Sequence, residues 1–150
     1  LRMINVTLDL TAPLYWWKEF DTYKVGTVAN SCSTMHKIAS KKFTIDDFSH
    51  EHLTGTSESV LTQLIDVMNT YRSMYLKEQS MPNEDRKELW WQLIQLLPSS
   101  YNQKRTVQLN YAVLKNMYHS RKNHKLDEWI TFCDWVRTLP YAKELIVGVE

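Results

Sequence analysis

The 150-residue chain holds only two cysteines, Cys32 and Cys133, so it has no disulfide framework, no paired spacing for structural zinc and no C-x-x-C redox motif. A reducing, cytoplasmic setting is the default expectation, with a single bridge between the two left open. Its three glycines are scattered, which excludes a glycine-rich phosphate loop. No stretch approaches the roughly 18 continuous apolar residues of a membrane-spanning helix. The opening residues carry no basic leader followed by an apolar run and a small-residue cleavage site, so neither secretion nor membrane insertion is expected. Leu1 is not an initiator methionine, and a few residues are expected to precede it. The formal charge of +1 gives no whole-chain attraction to polyanions, so any phosphate or nucleic-acid site must come from local clustering.

What the chain does have is aromatic and soft surface: six Trp, eight Tyr and six Met. That load implies a thick core, an oligomer interface or a planar ligand. The length suits one domain over 1–150, and the patterning predicts an α+β fold in which a small sheet from the N-terminal half packs with long amphipathic helices.

Residues Ile4, Val6, Leu8 and Leu10 alternate with polar ones, the period of a strand with one buried face. Leu14–Phe20 is so aromatic that periodicity allows either a short helix or a strand, and Tyr23–Ala29 has a β-like composition broken by Gly26. Asn30–Thr34 reads as a polar loop or a helix start, Lys41–Phe48 as a short strand or turn, and Ser49–Ser57 as the least ordered stretch. From Ser57, apolar residues at spacings of three and four predict a long helix through Tyr75. A second begins at Asn83 as N-cap and stops before Pro98, a third spans about 104–121, and a fourth about 126–138.

The third predicted helix is the informative one. Val107, Tyr111, Leu114 and Tyr118 follow the helical rhythm, and Asn110, Met117, Arg121 and His124 form a neighbouring line. Asn110 and Arg121 are thereby expected to look toward the packed side. A half-buried guanidinium needs an acceptor, and a ligand phosphate or an internal carboxylate would both serve. The plainer reading places Arg121 at a helix C-terminus, where a cation is favoured. Lys104, Arg105, Lys115, Lys122 and Lys125 add charge nearby.

Other groupings carry less. His50-Glu51-His52 with His36 has the elements of a metal site, but isolated loop histidines are far commoner than ligands, and no metal is expected. Ser33, His36 and Asp46 or Asp47 lack any nucleophile elbow. A helix N-terminus near Cys32 would lower its pKa, yet the surrounding charges do not demand it. Trp16-Trp17 and Trp90-Trp91 are adjacent pairs, of which one member each is expected in the core and the other at an interface or ligand.

Leu97-Pro98, Tyr101-Asn102, Thr106, Asn110-Tyr111, Leu114, Arg121, His124 and Glu128 together resemble the C-terminal signature of the flavin-dependent thymidylate synthases. Pro13 followed by aromatics, then Asn30, Ser31 in place of an acidic position, and Ser33, resembles the stretch that holds the family's N-terminal signature. Departures are specific. The family's arginine-histidine-arginine segment falls on Thr22-Tyr23-Lys24 or Tyr23-Lys24-Val25, its arginine-tyrosine on Met35-His36, the arginine of its asparagine-leucine-arginine segment on Ala112, and its alanine-glutamine on Lys125-Leu126. Lysine and histidine supply charge without the planar fork of arginine.

The resemblance implies FAD held by Asn110, Arg121, Lys24 and His124, and a uridine nucleotide at Ser33 and Arg105. It implies NADPH and methylenetetrahydrofolate as co-substrates of a reductive methylation, a methyltransferase and oxidoreductase chemistry carried by the flavin. It also implies a homotetramer with active sites between subunits. The alternative from a different class is a non-catalytic helical interaction protein, nucleic-acid-associated through its basic helix surface.

Overall fold

The computed structural model describes residues 1–31, 33–77 and 80–148. These form two compact units, one made of residues 1–31 and 104–150, the other of 32–103.

The first unit is built on a three-stranded sheet of β1 (Asn5–Pro13), β2 (Thr27–Ser31) and β3 (Asn102–Asn110), in the order β1-β3-β2. β2 and β3 are antiparallel, with Thr27 opposite Leu109 and Ser31 opposite Arg105. β1 shows the alternation read from sequence, Val6, Leu8 and Leu10 half-buried against exposed Asn5, Thr7 and Asp9. Across the sheet, Thr106 Oγ1 donates to Asp9 at 2.6 Å and Lys104 Nζ lies 3.1 Å from it, which together hold the Asp9 carboxyl below its ordinary range.

The segment expected to be a helix over 104–121 is two elements. Residues 102–110 are β3, with Val107 and Leu109 buried and Lys104, Thr106 and Gln108 exposed, and the helix α5 (Tyr111–Arg121) starts only afterwards. The spacing from Val107 to Tyr111 matches a helix by coincidence, because the last inward strand residues lead directly onto the first buried face of α5. The central strand therefore comes from the second half of the sequence, not the N-terminal half, while the α+β class with a small sheet and long helices stands.

Leu14–Phe20 resolves as a helix, α1. Its buried Trp16, Trp17 and Phe20 meet Trp129 and Phe132 of the helix Asp127–Arg137, with ring centroids of Trp16 and Trp129 4.7 Å apart. Both Trp16 and Trp17 are in the core, contrary to the expectation that one would face outward, because α1 is covered on more than one side: Trp17 also lies under the Arg105 guanidinium at 4.4 Å. Val107, Leu109, Leu114, Met117 and Tyr118 complete this core, closed by Ile146 in a π-helical turn over Lys143–Val147.

In the second unit, α2 (Thr34–Lys37) is followed by a 3-10 turn at Ile45–Asp47, α3 (Gly55–Lys77) and α4 (Asn83–Leu96); the helix Asp127–Arg137 of the first unit is α6. Pro82, not Asn83, holds the N-cap position of α4, without a side-chain bond, since its fixed φ sets up the first turn. Ile38, Ala39, Phe43, Phe48, Leu61, Ile65, Met68 and Leu93 form the core. Asn69 binds both backbone groups of Phe43 at 2.9 Å, pinning the 38–48 connector to α3 as a neighbouring strand would.

Candidate functional site

The turn at residues 21–26 approaches the start of α5 within the first unit. Tyr23 N–H donates to the Phe20 carbonyl at 3.0 Å, and Thr27 Oγ1 donates to the Tyr23 carbonyl, which fixes the turn at both ends. Gly26 adopts φ +78°, and a Cβ there would stand 2.9 Å from Val113 Cγ2 and 3.2 Å from Asn110 Nδ2. Glycine is needed for the left-handed backbone and for the close approach alike. Asn110 is extended and caps α5, its Oδ1 accepting the Val113 N–H at 3.1 Å.

Between this turn and α5 lies a cavity of about 520 Å³. Asn110, Ala112, Val113 and Asn116 form its helix side, and Tyr23, Lys24, Val25 and Gly26 its turn side, with Arg2 joining them. Among the described residues the lining has two cations and no acid.

Next to it, Glu19 gathers a polar cluster. Arg121 Nη1 and Trp129 Nε1 each donate to Glu19 Oε2 at 2.9 Å, and His124 Nε2 lies 3.3 Å from the same oxygen. Arg121 Nε donates to the Tyr23 hydroxyl at 3.0 Å, and the guanidinium sits 5.0 Å from the Trp129 ring. Leu126 N–H donates to His124 Nδ1 at 3.1 Å, so the ring proton is on Nε2, facing Glu19. The internal carboxylate thus supplies the acceptor that a half-buried Arg121 requires, and Tyr23 connects this cluster to the cavity wall.

The six residues singled out from sequence fall into four places. Asn110 and Lys24 line the cavity; Arg121 and His124 converge on Glu19. Arg105 reaches Asp21 at 2.8 Å, and Ser33, in the second unit, caps α2 by accepting the His36 N–H at 3.4 Å. His50 Nδ1 lies 2.8 Å from the Phe48 carbonyl, and among the described residues no three metal-ligating side chains gather into a site. Cys32 lies outside the described residues, so its relation to the buried Cys133 does too.

No family model matches the sequence, and no curated protein does. Solved structures do match. A flavin-dependent thymidylate synthase ThyX from Helicobacter pylori complexed with FAD and dUMP superposes with a TM-score of 0.61 at 14% identity, over 97% of this chain and 73% of the other. A further Helicobacter pylori ThyX structure with FAD and dUMP gives 0.58 at 16% identity, over 92% and 68%. The chain has the ThyX-like fold.

Within that ThyX-like fold, sequence reasoning missed Glu19, Arg2 and Asn116. Glu19 stands in an aromatic run with no local partner, and its contacts are 102 and 110 residues away. Gly26 reads in the sequence only as a break in a strand, whereas its lone position beside a β-like run is the signal for a tight approach. No helix among the described residues is long and apolar enough to cross a membrane.

Proposed function

We infer that the protein binds a flavin, FAD, with the cavity between the 21–26 turn and α5 taking its phosphates. The observation that supports this most is the pairing of Lys24 and Arg2 with the capped start of α5 around one acid-free cavity. Helix starts favour anions through their first-turn N–H groups. Tyr111 N–H goes to the Ile4 carbonyl and Val113 N–H to Asn110, which leaves Ala112, a lining residue, as the donor for a ligand. Val25, 89% exposed, and Val113 offer apolar surface for the ring system. About 520 Å³ is within the range of roughly 300–1,000 Å³ of small-molecule sites.

The group fits on these counts: cations, helix N–H and amides for phosphate, aliphatic wall for the ring. When bound, a flavin supplies hydride chemistry, and this chain's residues hold and orient it. Reductive methylation of a uridine nucleotide, with NADPH and methylenetetrahydrofolate, fits less well. Arg121 is already neutralised by Glu19, and Ala112 and Met35 stand where the synthases carry arginine. Flavin binding is therefore the proposed activity, ahead of the full synthase reaction.

Calorimetric titration with FAD tests this. The wild-type chain binds with saturable heat and Lys24→Ala weakens the affinity at least tenfold; equal affinity in the two, or no binding, rejects the site.

A further inference from the structure

The second unit contains a cavity of its own, also of about 520 Å³, between α2, the end of α3 and the start of α4. His36, Tyr75, Asn83, Arg86, Lys87 and Trp90 line it. Three of these side chains are basic and none is acidic; the acids of the first turn of α4, Glu84 and Asp85, are exposed and outside the lining.

Arg86 is the informative member. Its guanidinium lies 4.9 Å from the centre of the Tyr75 ring, and its Nε is buried with no hydrogen-bond partner among the described residues. A buried donor on a permanently charged group is ordinarily matched to an acceptor. Arg121 in the first unit has Glu19 for this purpose; among the described residues Arg86 has no ion pair, so an acceptor for the rest of its guanidinium would sit in the cavity that it lines, the Nε itself being enclosed. The fork of a guanidinium suits two oxygens of one phosphate, with Lys87 and His36 adding charge to the same space.

The other wall is aromatic and held still. Trp90 Nε1 donates to the Met35 carbonyl at 3.0 Å, and Trp91 packs edge-on against it at 5.0 Å. With its only donor used, the indole presents ring surface to the cavity, and a planar ligand stacks on such a surface whatever its identity.

We propose that this cavity binds an organic phosphate, its phosphate held by Arg86, Lys87 and His36 and its planar ring against Trp90. This site lies wholly in the second unit, and the proposal does not rest on flavin binding in the first.

The test is calorimetric titration of the whole chain at low salt with adenosine monophosphate and with inorganic phosphate. Adenosine monophosphate binds saturably and more tightly than inorganic phosphate. Arg86→Ala weakens both at least tenfold, and Lys87→Gln, at an exposed position that leaves folding intact, weakens both several-fold. Trp90→Leu brings adenosine monophosphate to the level of inorganic phosphate. No saturable binding of either probe, or wild-type affinity in both Arg86→Ala and Lys87→Gln, overturns the site. Equal wild-type affinity for the two probes overturns the ring contact.

Discussion

Glu19 Oε2 and Arg121 Nη1 stand 2.9 Å apart, joining α1 to α5 through residues 102 positions apart in the chain. The pair is half-buried, and the same carboxylate oxygen accepts the Trp129 indole N–H. It serves the packing of three helices as much as any ligand.

Replacing Arg121 with Ala leaves Glu19 with its neutral donors alone. The pair lies between an exposed bridge, worth about 0–1 kcal/mol, and a fully buried one, where removal of one partner costs about 3–5 kcal/mol. A loss of about 2 kcal/mol is expected in urea unfolding. The double variant Glu19→Gln/Arg121→Ala should lose less than the sum of the single variants, by about 1 kcal/mol.

Gly26→Ala combines an unfavourable positive φ with a contact of 2.9 Å to Val113. The backbone effect alone is worth about 1 kcal/mol and the crowding adds to it, giving about 2 kcal/mol by the same denaturation measurement. Because Val113 and Asn110 must shift to admit the methyl group, flavin affinity should fall with stability.

Burial, with a smaller push from Asp134, raises the Cys133 thiol to about 11 from an ordinary 9.0. In the folded chain it stays protonated at neutral pH. In a Cys32→Ser background, a thiol-specific disulfide reagent at pH 8 should leave native Cys133 unmodified and label it on unfolding in urea. Between pH 9.0 and about 11 the unfolded chain sheds this proton while the folded chain keeps it, so stability falls as pH rises through that window. Cys133→Ala should remove this part of the slope.

Where elements repeat their own period for several turns, the sequence showed them. β1 alternates cleanly, and α3, α4 and α6 each carry an apolar stripe, with Pro98 and Pro140 as stops beyond the last two. The junction at Asn110 defeated the same reasoning, because strand residues Val107 and Leu109 and helix residues Tyr111 and Leu114 fall by chance on one helical rhythm. At α1 the adjacent tryptophans gave no period at all, and the surrounding helices determined that both are buried.

The site was legible in part and for different reasons. Lys24 follows from the family resemblance alone and Asn110 from helical spacing as well, and the two share a cavity. The inward orientation of Arg121 came from spacing, yet its acceptor Glu19 has no sequence signal, since only the folded chain brings α1 beside α5. Asn69, whose amide holds Phe43 from both sides, was equally invisible: a polar residue on a helix surface shows its partner only in three dimensions.

Asn110 gives the sharpest test of the flavin site, because its two duties separate. Aspartate at this position still accepts the Val113 N–H and caps α5, but adds a carboxylate to the cavity that Lys24 and Arg2 line. The measurement is an FAD fluorescence titration of the wild-type and Asn110→Asp chains, with thermal unfolding as control. Saturable binding by the wild type and at least tenfold weaker binding by Asn110→Asp, at nearly unchanged stability, is the predicted result; undiminished affinity in Asn110→Asp, or a wild type that leaves FAD free, contradicts it.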